Sequence, residues 1–424
     1  MLDRTVAPPY RKISEISLVE ATRHQLDGGI NLYTIDAGSQ DVLKLEFIFN
    51  QGSKNDDKLG TSFFLTKMLA GGTKQTSATK IAQTLEYYGA HLDFNPGFDR
   101  SNLSVYLLTK HLTSVLPLLL EMILESIFPD RELSLQKSIK KDELRVNLGK
   151  TQFVASRKIR QNIFDTSHPY SRSLNPDDIE EILPQDLIDQ YKGSASSLTI
   201  IASGKIGEAT ISSLKETFQT LRPTHQNDAE RSIGKTKTPL FVDEWEGAMQ
   251  SSVRMGKQTI NKAHKDFFPY LVANELLGGF FGSRLMKNIR EDKGFTYGIY
   301  SQIMHLEEAS MQIIGTDVKR AFTQQTLDEI NREIKIIQSV PVNDDELETV
   351  KNYMQGSFLS SFSTPFSLAS KFKSIHFHGL DYSFYRNYLA NIEAVSAEDV
   401  LEAANTYMAT DDFSTVVIGG LRPN

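Results

Sequence analysis

Two stretches far apart in this chain follow one plan. PQDLIDQYKGSASSLTIIASG (184–204) and AEDVLEAANTYMATDDFSTVVIGG (397–420) each run from an acidic cap through an amphipathic helix and a polar turn into a β-branched strand ending in glycine. Asp186 matches Asp399, and Gly204 falls near Gly419 or Gly420. KLEFIFNQG pairs more loosely with SSVRMGKQTI, each being followed by a helix. A plan repeated about 200 residues on, in a chain too long for one ordinary core, reads as a duplication into two modules. Residues 222–239, RPTHQNDAERSIGKTKTP, are polar, contain Pro and Gly and lack periodicity, which marks a linker. The expected modules are therefore 1–222 and 235–424.

The first module opens with β-rich runs around a Gly-Gly turn (ATRHQLDGGINLYTIDA) and with KLEFIFNQG. LGTSFFLTKMLAGG and SATKIAQTLEYYGA follow as helices, the second with Ser77 as its cap. HLDFNPGFDRSNLSVYLL is a strand, a bend and a strand, and residues 111–164 are helical with an interruption near Gly149. A helix–helix–strand–strand order lacks the regular βαβ alternation of a doubly wound sheet. The expected class is α+β, each module being a mainly antiparallel sheet with helices packed on one face.

Composition removes several functions. A net charge of -7 gives no electrostatic case for nucleic acid. The absence of cysteine rules out disulfides, thiolate zinc sites and a Cys nucleophile. The most apolar run, VLPLLLEMIL, is broken by Pro117 and Glu121, and the charged N-terminus has no signal-peptide core, so the expectation is cytoplasmic with no membrane partner. GGFFGSR lacks the lysine of a phosphate loop and does not fit G-x-G-x-x-G, and no G-x-S-x-G elbow occurs. No two of the nine histidines have H-x-x-x-H spacing. His376 and His378 read as surface or turn residues without a third ligand nearby, and His168, before Pro169, as a turn residue.

The stretch NELLGGFFGSRLMKNIREDKGFTYGIYS (274–301) is the densest in signals. Gly278, Gly279 and Gly282 interrupt a helix, where glycine permits positive φ and close backbone approach. Ser283 is placed to cap a following helix with Leu285 and Ile289 on its inner face; Gly294 stops it, and FTYGIYSQI reads as a strand. If the strand folds back beside the helix, the guanidinium of Arg290 and the phenol of Tyr297 can face one space and donate to a peptide carbonyl or its oxyanion. On spacing alone, the plainer account is a solvated arginine and a half-buried strand tyrosine.

With these motifs in view, the chain from about residue 20 onward resembles the pitrilysin/insulinase-type zinc metallopeptidases, in particular their small bacterial branch and the mitochondrial processing peptidase. The segments that carry the resemblance are GS…LGTSFFLTKMLAGGT, SRKIRQNIFDTSHPYSRS and, most specifically, N-x-x-L-G-G…S-R-L…R-E-x-x-G-x-x-Y. Active members carry an inverted H-x-x-E-H whose histidines bind zinc and whose glutamate activates water. Alignment on MLAGGT puts that motif on Phe63 to Lys67: Phe63 and Lys67 replace the ligands, Thr66 the base, and only Glu143 stands at the spacing of the third ligand. The resemblance implies a clam-like chamber of which this chain forms half, and a pair like Arg290 and Tyr297 acting on substrate from the second module, which reverses the preference stated above. Gly278, Gly279 and Gly282 fall where the non-catalytic processing subunit has its Gly-rich substrate loop. The expectation is a non-zinc subunit that binds no metal itself and pairs with a paralogous H-x-x-E-H subunit holding the zinc, with extended peptides as substrate. The alternative is a catalytically inactive peptide-binding or scaffold homodimer.

Overall fold

The computed structural model describes residues 18–26, 30–194, 198–219, 221 and 239–421. Apart from Pro239, the expected linker lies outside them, as do the turn glycines at 28 and 29. The described strands form two sheets. The first contains β1 (Thr22–Gln25), β2 (Asn31–Asp36), β3 (Val42–Phe49), β4 (His91–Pro96), β5 (Ser101–Leu108) and β6 (Leu198–Gly204), in the order β1-β2-β6-β3-β5-β4. The second contains β7 (Leu240–Glu244), β8 (Gln250–Thr259), β9 (Thr296–His305), β10 (Ser310–Lys319) and β11 (Ser414–Gly419), in the order β7-β11-β8-β10-β9. β2–β6 and β7–β11 are parallel, and every other pairing is antiparallel.

Leaving β1 aside, the two orders correspond strand for strand. The strands of the repeated plan, β6 and β11, hold matching positions, and so do those of KLEFIFNQG and SSVRMGKQTI, β3 and β8. Each sheet has its own helices on one face. In the first module Leu43, Leu45, Phe47 and Phe49 of β3 meet the helices Ala78–Tyr87, Leu112–Leu124 and Glu208–Phe218. In the second, Val253 and Met255 of β8 meet Phe267–Asn274, Thr323–Ser339 and Ala397–Tyr407.

The opposite face of each sheet is covered by a helix from the other half of the chain. Ala155, Ile159 and Ile163 of helix Thr151–Ile163 pack on Met311, Ile313, Val416 and Ile418 of the second sheet. Leu368, Ala369 and Phe372 of helix Pro365–His376 pack on Tyr33, Ile35, Ile48 and Ile201 of the first. This exchange explains why β3 is buried almost throughout rather than at alternate residues. Its second face holds Lys44, Glu46 and Ile48, and the fully buried Glu46 carboxylate pairs with Lys44 (2.9 Å) and with Lys373 of the crossing helix. Burial works against the Glu46 anion, but the two ammoniums outweigh it and hold the carboxyl below its usual range. Each apolar side chain withdrawn from water contributes about 1.5–3 kcal/mol, so the exchanged helices bind the halves through apolar packing as well as charge.

A polar junction lies at the tip of the β9–β10 hairpin. Glu307 and Glu308 reach the first module, where Lys54 Nζ sits 3.0 Å from Glu308 Oε1 and 3.4 Å from Asp99 Oδ1, and Arg100 Nη2 donates to Glu307 Oε2 at 3.1 Å. Tyr170 donates its hydroxyl to Asp99, and the Glu307 amide donates to Asp99 Oδ2 at 3.1 Å. His168 is a turn residue, as expected: its buried Nδ1 accepts the Tyr170 amide at 3.2 Å. His376 ends a helix and His378 lies in the turn after it, both half-buried. Among the described residues no helix is long and apolar enough to cross a membrane.

Candidate functional site

The Asn274–Ser301 segment folds as helix, turn, helix and strand. Helix Phe267–Asn274 widens into a π-turn over Glu275–Gly279, and after the loop at 280–283 a second helix has π geometry over Met286–Asp292. Wide turns of this kind cost hydrogen-bond geometry and are found disproportionately at functional sites. Leu285 and Ile289 form the inner face, as their spacing predicts. Ser283 does not cap: its Oγ is buried without a partner, while its carbonyl accepts the Lys287 amide at 3.0 Å. Gly294, at φ +63°, makes the left-handed stop.

The loop glycines do not have positive φ; each lies close to neighbouring atoms, and at Gly278 the neighbour is fixed backbone. A Cβ on Gly278 would lie 2.7 Å from the Ser301 nitrogen, one on Gly279 2.1 Å from Glu275 Oε2, and one on Gly282 2.7 Å from the Phe280 ring. Phe280 stacks on Tyr353 with centroids 4.7 Å apart, and the exposed Phe281 ring lies 4.6 Å under the Arg290 guanidinium.

A buried polar network ties this segment to the sheet. Asn274 Nδ2 donates to the Ser301 carbonyl (3.1 Å), Ser301 Oγ donates to Asn274 Oδ1 (2.6 Å), and Gln312 Nε2 donates to Asn274 Oδ1 (3.0 Å). Tyr270 closes the network by donating to Gln312 Oε1 at 2.9 Å. Satisfied buried networks of this kind hold a single arrangement. β9 folds back beside the second helix, with the Phe295 amide donating to the Ile289 carbonyl at 3.0 Å.

The register of β9 then breaks at Tyr297. Thr296 pairs with Val318 and Ile299 with Thr316, so Tyr297 and Gly298 together oppose Asp317 alone. This β-bulge puts two successive residues on the exposed side and leaves Tyr297 93% accessible. Two threonines clamp it: Thr316 Oγ1 lies 2.9 Å from the Gly298 carbonyl, and Thr296 Oγ1 accepts the Gly298 amide at 3.1 Å and donates to the Asp317 carbonyl at 2.8 Å. Thr296 and Thr316 are absent from the sequence reading, because a bulge depends on a partner strand that periodicity does not identify.

The positions of the altered zinc motif lie on helix Thr61–Met68. Asp56 fixes its start by accepting the Gly60 and Ser62 amides at 2.9 and 3.0 Å and the Gln190 amide group at 3.2 Å. Burial raises the Asp56 carboxyl above its ordinary value despite those bonds. Thr66 is 2% exposed and donates back to the Ser62 carbonyl at 2.7 Å. The half-buried Phe63 ring carries the Lys140 ammonium 4.5 Å from its centroid, and that ammonium pairs with Glu143 at 2.9 Å. Lys67 Nζ lies 5.2 Å over Phe94 of β4.

Zinc requires converging N, O or S donors. Phe63 supplies none, Lys67 and Lys140 bring positive charge, and Glu143 is engaged by Lys140. The residues at these positions do not fit the metal. Among the described residues no three His, Asp or Glu side chains converge as metal ligands. Lys140 is a further participant that sequence reading missed, although its i,i+3 spacing to Glu143 on one helix is a usable signal.

Two family descriptions match the chain in tandem: "Insulinase (Peptidase family M16)" over residues 34–177 and "Peptidase M16 inactive domain" over residues 184–354. A Bacillus subtilis protein named "Uncharacterized zinc protease YmxG" is 23% identical over 327 residues, 74% of this chain and 76% of that one. A Helicobacter pylori protein named "Non-peptidase homolog YmxG" is 21% identical over 395 residues, 89% of each. The solved peptidase M16 inactive domain from Pseudomonas fluorescens superimposes with a TM-score of 0.86 at 20% identity, covering 95% of this chain and 100% of that one, so the fold is shared.

Proposed function

We infer a function from one premise: the chain belongs to the insulinase family, peptidase family M16, and is an inactive homologue within it. Our reading is that it serves as the non-zinc subunit of a heterodimeric metallopeptidase. A paralogous partner with intact H-x-x-E-H supplies zinc, water and base. This chain supplies Arg290 and Tyr297 as hydrogen-bond donors to the substrate carbonyl and to the oxyanion formed as water adds to it. The loop at Gly278, Gly279 and Gly282 borders the path of an extended peptide, which adds a strand to a sheet edge of the partner.

One observation carries the reading. The zinc-motif positions have been filled with groups that exclude a metal, while the segment bearing Arg290 and Tyr297 keeps a costly local geometry, with π-turns and a clamped bulge that turns Tyr297 outward. Such geometry persists where surrounding contacts over-determine it, and it gathers at working sites. The test is Tyr297→Phe in the reconstituted complex. We expect kcat to fall by about one to three powers of ten with the complex intact, the usual worth of one oxyanion donor. A fully active mutant complex refutes the role given to Tyr297.

The relative named a non-peptidase homologue supports a second reading, a peptide-binding or scaffold homodimer. Native mass spectrometry of the complex from its own organism separates the two. A zinc-containing heterodimer favours the first, and a metal-free homodimer the second.

A further inference from the structure

A cavity of about 480 Å³ opens beside the π-turn. Its lining combines apolar side chains, among them Phe267, Leu271 and Phe384, with two ammonium groups. Lys262 comes from the loop after β8 and Lys371 from helix Pro365–His376. Among the described residues neither lysine has a carboxylate within ion-pair distance. Lys262 donates to Ser374 Oγ at 2.5 Å, and Lys371 Nζ lies 5.5–5.9 Å from the ring centroids of Phe358, Phe362 and Tyr385, near the outer limit of cation–π contact. Neither arrangement neutralises a charge. Burial and the nearby Lys371 pull the Lys262 ammonium down to about 8, and burial lowers that of Lys371. Glu275, the acidic residue of the lining, does not balance them. Its Oε2 is shielded from solvent without a hydrogen-bond partner, and burial pushes its carboxyl up to about 7. Burial and Lys262 push His305, also in the lining, down to about 3, so that it is uncharged. The lining is net positive.

We propose that this cavity binds an organic acid, a single carboxylate carried on an apolar body. Two half-buried ammoniums without counter-ions have already lost part of their hydration in the folded protein, and they repel each other. An anion that enters gains the pairing without that loss being incurred again on binding. Phosphate is typically held by arginine forks and by backbone amides at helix N-termini. The lining offers no arginine, and its aromatic and aliphatic surface suits a ring or alkyl body better than further polar oxygens. The volume lies within the range of small-ligand pockets. The carboxylate can come from a free small acid or from the last residue of a peptide. Arg290 and Tyr297 do not line this cavity, so the acid site does not depend on the catalytic role proposed above.

The test titrates the full chain calorimetrically with 4-phenylbutyrate against 4-phenylbutanamide, and with acetyl-alanyl-alanyl-phenylalanine as the free acid against its amide. At least one acid is expected to bind about tenfold or more tightly than its amide, the worth of one charge-assisted hydrogen bond. A preference confined to the first pair identifies a free acid as the occupant, and one confined to the second identifies a peptide end. No preference in either pair overturns the proposal. Replacing both lysines, Lys262→Met with Lys371→Met, should bring the ratio to about one, whereas Lys262→Arg with Lys371→Arg keeps the charge and should keep most of the preference. A second measurement needs no variant. Acetylation of Lys262 and Lys371 by an N-hydroxysuccinimide ester, followed by peptide mass spectrometry, should slow several-fold under the preferred acid and not under its amide. The exposed Lys265, outside this lining, should react at an unchanged rate. A preference that survives the paired methionine substitution, or acetylation of both lysines unaffected by the preferred acid, overturns the proposal.

Discussion

Replacing Lys54 with methionine isolates the junction that anchors the strand bearing Tyr297. Lys54 is 4% exposed, and its ammonium lies 3.0, 3.4 and 3.9 Å from carboxylate oxygens of Glu308, Asp99 and Glu307. Methionine keeps most of the volume and removes the charge, which leaves the carboxyl groups of Asp99, Glu307 and Glu308 close together with Arg100 bonded to Glu307. Removing one partner of a buried ion pair costs about 3–5 kcal/mol. Glu307 and Glu308 retain some access to water, which argues for the lower end, about 3 kcal/mol. The pH dependence follows from Glu307, whose carboxyl burial already raises against the pull of Arg100. Its folded pKa therefore lies above the unfolded value, so its contribution to stability is greatest where both states are protonated and declines as pH rises through that window. Loss of Lys54 lifts the folded value further, so the penalty of Lys54→Met should be larger at pH 8 than at pH 5. Trp245, the single tryptophan, packs against the cluster shared by the two halves and reports their separation in urea titrations. A loss below about 1 kcal/mol near neutrality, or a penalty independent of pH, refutes the argument.

Two further expectations concern the site itself. Thr316→Val removes the hydroxyl facing the Gly298 carbonyl and should cost about 1 kcal/mol. Amide exchange at Tyr297 and Gly298 should quicken, and kcat of the reconstituted complex should fall with KM little changed; unchanged exchange there means the threonine does not hold the bulge. The combined change Phe63→His, Thr66→Glu, Lys67→His and Lys140→Ala should create a zinc site with Glu143 as third ligand, read by elemental analysis of the folded variant. Retaining Lys140 should weaken zinc by about tenfold or more, since its ammonium repels the ion and holds Glu143. Equal zinc content with and without Lys140 refutes the exclusion assigned to it.

Much of this protein follows from its sequence. The β-branched runs, the helical periodicities and the repeated plan ending in β6 and β11 are local patterns, and local patterns specify elements and their duplication. The loss of the zinc motif is equally legible, because Phe and Lys cannot act as its ligands whatever surrounds them. Other features needed the folded chain. An amphipathic helix records that one face is buried but not what buries it, so the exchange of helices Thr151–Ile163 and Pro365–His376 between the sheets is absent from periodicity. The glycines at 278, 279 and 282 were legible as special, but the atoms that crowd a Cβ there come from Ser301, Glu275 and Phe280. The bulge at Tyr297 depends on register with Asp317, and the absence of a hydrogen-bond partner at Glu275 Oε2 depends on which groups fail to reach it. Backbone preference and side-chain chemistry act over a few residues and are written in the sequence, whereas exposure, pairing and charge balance are sums over neighbours that only the tertiary structure assembles.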